Sequence, residues 1–236
     1  MAAQTNAPFL VLAHRGYSGK YLENSIQAFE AALDLKAPAI ELDVHLSQDN
    51  ELVVTHDFIL GRTVKAHGTV LDHSSAALSK KGVSTLQEIL QLINNKLLLN
   101  IEIKSDTLTH DLSYQTMNRR LLELCIPYGI RNLVFSSFDT HALKVLRASS
   151  QEARIALLDD RPDRGPRITE AHELAAEFYN VNLKRLNRES VLELQKQNLK
   201  VLAYTCKKEE DPRLAYGLGV DGVFADNLEE ALAFRG

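Results

Sequence analysis

Short apolar runs alternate along this chain with longer stretches in which apolar residues recur every three or four positions. Strand-like runs cover residues 9–13, 39–44, 97–103, 132–136, 154–157, 178–181, 200–205 and 222–225. Helical periodicity covers residues 24–35, 85–92, 112–124, 140–148, 169–176, 190–197 and 212–218. In the first helical stretch Ile26, Phe29, Ala32 and Leu33 share one face, and Asn24 is the expected N-cap. In the second, Thr85 precedes Glu88 by three residues, the pattern of a capping box. Each helix has one apolar face to turn toward a sheet.

Eight strand-like runs alternating with helices predict an α/β chain folded as a TIM (β/α)8 barrel, whose usual length is about 250 residues. An open doubly wound sheet is the alternative. It calls for a glycine-rich phosphate loop after the first strand, and the chain has neither GxGxxG nor GxxxxGK[ST]. One stretch breaks the alternation. Residues 58–83 hold Gly61, Gly68 and Gly82 with little helical periodicity, and read as a small insertion between the second strand and its helix. With no linker and no low-complexity segment, residues 1–236 are expected to form a single domain.

Composition narrows the partners. The net charge is −4 and the isoelectric point about 6.1, so there is no basic excess to attract nucleic acid or an anionic membrane. No stretch approaches the roughly 20 apolar residues of a membrane span, so no stable membrane anchor is expected. Two separated cysteines, Cys125 and Cys206, suit free thiols in a reducing compartment. Together with opening residues that lack a basic leader pattern, they lead to an expected cytoplasmic location.

The candidate chemistry gathers at the ends of the apolar runs, where barrel enzymes build their active sites. Glu41 and Asp43 lie two residues apart on one strand and therefore project from the same face, as do Glu102 and Lys104. Carboxylates are seldom buried without partners. Three converging ones either pair with Arg15 and Lys104 or surround a hard divalent cation such as Mg2+ or Ca2+. His14 and His56 each follow a short apolar run, and a pair of histidines can serve as general base and general acid. Asp57 is placed to orient His56 or to cap the next turn. His45 is expected to point away from the Glu41 and Asp43 face. His67, His73, His110, His141 and His172 read as surface residues. Arg15 and Lys104 could hold a phosphate, and with a metal they would meet the charge that builds in a phosphodiester transition state.

These residues fall in motifs that resemble the glycerophosphodiester phosphodiesterases. The motifs are HRG ending at Gly16, LENS at 22–25, the AFEAA helix, IELDV, DNELVVTHD, STLQEIL and NIEIK. They continue with FSSFD at 135–139, LKVLAYT at 199–205 and GVDGVFAD at 219–226, so the likeness spans nearly the whole chain in order. The resemblance implies a TIM barrel with a small insertion after the second strand. It implies hydrolysis of a small-molecule glycerophosphodiester to sn-glycerol 3-phosphate and an alcohol, with one divalent cation held by Glu41, Asp43 and Glu102. It makes His14 and His56 the catalytic histidines and Arg15 and Lys104 the phosphate contacts. The chain departs from the family pattern at Leu22 and Ser25, at Tyr204 to Lys207 where Trp-Thr-Val-Asn is usual, and at Ala225 to Asn227 where Thr-Asp-Pro is usual. A lysophospholipase D-like preference and a non-catalytic barrel that binds a phosphorylated ligand are the competing readings.

Overall fold

A computed structural model describes residues 8–160 and 165–234. The remaining residues of the 1–236 span lie outside the described set. Among the described residues nine strands form a single sheet: β1 Leu10–Ala13, β2 Ala39–Leu46, β3 Leu52–Val54, β4 Leu98–Ile103, β5 Leu133–Ser137, β6 Arg154–Asp159, β7 Phe178–Asn182, β8 Lys200–Cys206 and β9 Gly222–Ala225. Eight of them run parallel and pair in the order β1, β2, β4, β5, β6, β7, β8, β9, with β9 returning to β1. The ring is therefore closed, and the (β/α)8 expectation holds. β3 is the ninth strand. It is antiparallel to β2, with Val44 opposite Val54 and Leu46 opposite Leu52.

Helices α1 Ile26–Asp34, α3 Leu86–Ile93, α4 Asp111–Cys125, α5 Thr140–Ser149, α6 Ile168–Glu173, α7 Arg188–Lys196 and α8 Asp211–Leu218 connect the strands, α2 Ser75–Ser79 lies in the insertion, and α9 Leu228–Ala233 follows β9. Their apolar faces pack on the outside of the sheet in one large cluster that includes Phe29, Leu86, Leu121, Leu143 and Val191. A second cluster, with Leu12, Ala39, Val134, Ala156, Phe178, Leu202 and Phe224, joins residues of seven strands and fills the barrel interior.

One expectation needs correction. Asn24 does not cap α1; Ser25 does, its hydroxyl accepting from the Ala28 N–H at 3.2 Å. Asn24 has a left-handed backbone, φ 57°, which Asn tolerates, and this turns its amide toward the barrel instead. The Thr85–Glu88 capping box forms as expected. The insertion lies between the second barrel strand and its helix α3, as expected, and is entered through the short β2–β3 hairpin. It carries its own apolar cluster of Val53, Leu60, Val64, Val70, Leu78 and Val83.

Candidate active site at the C-terminal end of the barrel

The turn after β1 sets the first two groups. Arg15 and Gly16 both have positive φ, 56° and 76°, so the chain reverses tightly directly after His14. Gly16 is required by contact as well as by conformation: a Cβ there would lie 2.7 Å from the Ala28 backbone. The turn aims the Arg15 N–H at the Glu41 carboxylate, 2.9 Å away. The Arg15 side chain reaches Glu23 at 2.9 Å and Asp43 at 3.2 Å.

The period of two in β2 and β4 brings three carboxylates together as expected. One oxygen from each of Glu41, Asp43 and Glu102 lies within 4.8 Å of the others, and all three residues are buried. Lys104 donates to Glu102 at 2.6 Å and lies 3.0 Å from Asp43. The Asn24 amide donates to Asp43 at 2.8 Å. Of the two options left open by the sequence, the ion pairs form, and the same three carboxylates lie close enough together to share one cation.

Crowding of three buried carboxyls makes their joint ionisation costly. Burial raises the pKa of Glu41 well above the usual carboxylate range, and the charges of Asp43 and Glu102 add to the effect. Burial likewise raises Glu102. Burial opposes ionisation of Asp43 too, but Lys104 and Arg15 outweigh it and hold that carboxyl far below its ordinary value. Arg15 is also shared with Glu23, so the two permanent cations do not balance the buried carboxylates, and a proton or a metal would complete the balance. An all-oxygen donor set fits Mg2+ or Ca2+.

Each histidine is held by a carboxylate. His56 Nδ1 lies 2.8 Å from Asp57, the partner expected from sequence. His14 Nδ1 lies 2.6 Å from Asp226, immediately after β9, a partner that sequence reasoning did not assign. A carboxylate acceptor at Nδ1 places the proton there in the neutral ring and leaves Nε2 free to exchange one. The Asp226 carboxyl is partly buried, which opposes ionisation, but the His14 hydrogen bond prevails and lowers its pKa. Ser18 donates to the same oxygen at 3.2 Å. His45 points away from the carboxylates, as expected, yet it is fully buried; its Nε2 lies 3.1 Å from the His56 carbonyl.

A cavity of about 530 Å3 opens over this end of the barrel. His14, Arg15, Glu41, His56, Glu102 and Lys104 line it, while Asp43 lies beneath. One wall is apolar: Tyr204 packs edge-on against Phe138 at 6.0 Å and against Phe224 at 6.4 Å. All seven residues singled out from the sequence therefore belong to one site. The charged residues that support it, Asp226 and Glu23, lie in motifs the sequence displays, but nothing in their spacing reveals which histidine or arginine each would meet.

Comparison with known proteins agrees with this geometry. A family model described as the glycerophosphoryl diester phosphodiesterase family matches residues 14–230. A glycerophosphodiester phosphodiesterase of Caldanaerobacter subterraneus subsp. tengcongensis is 31% identical, with 93% of this chain and 95% of the relative aligned. The crystal structure of a glycerophosphodiester phosphodiesterase from Thermotoga maritima superposes with a TM-score of 0.81 at 28% identity, over 96% of this chain and 98% of that one. A phosphodiesterase of Oleispira antarctica, solved with its product sn-glycerol-3-phosphate, shares the fold with a TM-score of 0.85 at 23% identity, over 96% of each chain. Matched from its first candidate histidine to its last helix, and along nearly the full length of its relatives, the chain belongs to the glycerophosphoryl diester phosphodiesterase family and is an enzyme of glycerophosphodiester hydrolysis.

Proposed function

We propose that the chain hydrolyses soluble glycerophosphodiesters, such as glycerophosphocholine and glycerophosphoethanolamine, to sn-glycerol 3-phosphate and an alcohol, with one divalent cation at Glu41, Asp43 and Glu102. The observation that carries the reading is the joint presentation, in one cavity, of two histidines with free Nε2 atoms and a buried three-carboxylate cluster. The product bound by the Oleispira relative supports the choice of product.

In this reading Arg15 and Lys104 orient the phosphodiester through its non-bridging oxygens. His14 Nε2 takes the proton of the attacking hydroxyl, either water or the glycerol 2-hydroxyl; the latter route gives a cyclic glycerol phosphate, which water then opens to glycerol 3-phosphate with the roles of the two histidines reversed. His56 delivers a proton to the departing alkoxide. Asp226 and Asp57 stabilise each imidazolium when it forms and keep Nε2 aimed into the cavity. A bound divalent cation supplies Lewis-acid stabilisation of the negative charge that grows on the phosphoryl oxygens.

A lysophospholipid substrate is the second reading, and one feature favours it. Phe138 and Leu214, 43% and 55% exposed, line the cavity and offer apolar surface on which an acyl chain could lie. Among the described residues no helix is long and apolar enough to cross a membrane. The buried free thiols of Cys125 and Cys206 suit a reducing, cytoplasmic setting.

The test is release of glycerol 3-phosphate from glycerophosphocholine and glycerophosphoethanolamine by the parent protein, His14→Ala and His56→Ala. Both variants are expected to fold and to lose about 10²–10⁴-fold in kcat. Parental kcat in either variant contradicts its assigned role, and turnover of lysophospholipids alone moves the substrate to the second reading.

A further inference from the structure

Arg62 stands in the insertion, and its guanidinium makes four hydrogen bonds to two carboxylates beside the site. Nη1 and Nη2 donate to the two oxygens of Glu23 at 2.9 and 2.6 Å. Nε and Nη2 donate to the two oxygens of Asp57 at 2.6 and 3.0 Å. The oxygens that Nη2 holds are the ones that steer the site. Glu23 Oε1 also accepts from Arg15 at 2.9 Å. Asp57 Oδ1 is also the partner of His56 Nδ1 at 2.8 Å. One nitrogen thus joins the support of the phosphate-facing arginine to the support of a catalytic histidine.

We propose that Arg62 is a positioning residue that sets His56 and Arg15 at once, and that presenting it is a role of the insertion. The inference rests on the reading of His56 and Arg15 above. An isolated surface ion pair is worth little. Here, however, four charge-assisted hydrogen bonds form in the fork geometry peculiar to arginine, and each carboxylate also binds a second side chain of the site, Arg15 on Glu23 and His56 on Asp57. The platform is firm. The residues around Arg62 turn tightly, the Gly61 N–H bonding the Val64 carbonyl at 3.0 Å. Leu60 and Val64, just before and after that turn, are buried in the insertion's own apolar cluster, which includes Val53 of β3. Arg62 itself is 52% exposed and outside that cluster, so its removal leaves the packing intact.

Lysine replaces it poorly, because one ammonium group can stand in for Nη2 but not also for the Nε bond to Asp57 and the Nη1 bond to Glu23. Without the fork, Glu23 and Asp57 each lose the group that fixes their orientation, and His56 and Arg15 gain freedom at the moment when charge develops on the phosphoryl oxygens.

The test is steady-state turnover of glycerophosphocholine by Arg62→Ala and Arg62→Lys, with His56→Ala run in parallel. Expected for Arg62→Ala is a fall of about 10–100-fold in kcat, larger than any rise in KM, at an unchanged melting temperature. Millimolar guanidinium restores part of the loss, and ammonium at the same concentration does not. Arg62→Lys lies nearer to the alanine variant than to the parent. Parental kcat in either Arg62 variant, or a loss that guanidinium leaves untouched, overturns the proposal. Parental kcat in His56→Ala instead refutes the role of His56. An impaired His56→Ala beside an unimpaired Arg62→Ala refutes Arg62 alone.

Discussion

His14 and Asp226 are 212 positions apart in sequence, and their side chains meet at 2.6 Å. Closure of the barrel makes the contact. β1 and β9 pair in register, Ala13 opposite Ala225, so the residues that follow each strand emerge side by side. The first and last strands of the chain together set one histidine. Asp226→Asn keeps the shape and removes the charge that stabilises the His14 imidazolium and fixes its tautomer. The expected result is a fall in kcat of about 10-fold or more with little change in melting temperature. Parental kcat in this variant would separate Asp226 from catalysis.

The turn after β1 is a second place where backbone and chemistry coincide. Gly16 has φ +76°, and a Cβ there would press on Ala28 of α1. The Gly16→Ala variant must displace the turn that carries Arg15. The expected cost is about 1–3 kcal/mol, as for overpacking elsewhere. For a chain of this size that is a fall of about 2–4 °C in melting temperature per kcal/mol. Activity at temperatures well below the melt should fall as well, since the Arg15 N–H loses its alignment on Glu41. An active variant of unchanged melting temperature would show that the turn accommodates a side chain.

The opposite end of the barrel offers a control. Glu177 precedes β7 and accepts from Arg154 at 2.7 and 2.9 Å and from Lys200 at 2.9 Å, which joins the starts of β6, β7 and β8. The Arg154 hydrogen bonds, and then Lys200, hold the Glu177 carboxyl below its usual pKa. A depressed folded pKa means that the contribution is present above the unfolded value of about 4.3 and is lost as pH falls through the folded value. After screening, the group is worth about 1 kcal/mol or less. Glu177→Gln should therefore melt slightly lower than the parent at neutral pH and equally at strongly acid pH. Its kcat should be unchanged, because the site lies at the other end of the strands. A difference that persists in acid would contradict the linkage.

The parts of this account that were legible in the sequence are those with a period. The eight barrel strands and most helices show their apolar alternation, and Glu41, Asp43, Glu102 and Lys104 share faces by strand geometry alone. What the sequence concealed depends on closure and on turns. β3 is three residues long, too short for a pattern, and its hairpin rests on Asn50 at φ 59° and on Ser47 bonded to Glu51. The α1 cap fell to Ser25 rather than to Asn24, because two adjacent residues can both cap and only the tertiary pull of Asp43 separates them. Glu23, Arg62 and Asp226 are charged residues in loops, where composition supplies no preferred partner. His45 occupies the outward face of β2 and is nevertheless buried, because the insertion folds over it, with Phe58 6.3 Å away.

The central claim is that Glu41, Asp43 and Glu102 hold a divalent cation on which turnover depends. The most direct measurement is glycerol 3-phosphate release after treatment with EDTA, followed by titration with Mg2+ or Ca2+, for the parent and for Glu102→Gln. The account predicts that EDTA abolishes release and that one of the two ions restores it along a saturable, single-site curve. It also predicts that Glu102→Gln raises the half-saturating ion concentration at least about tenfold. Undiminished release in EDTA, or a Glu102→Gln curve that overlays the parent's, would contradict it.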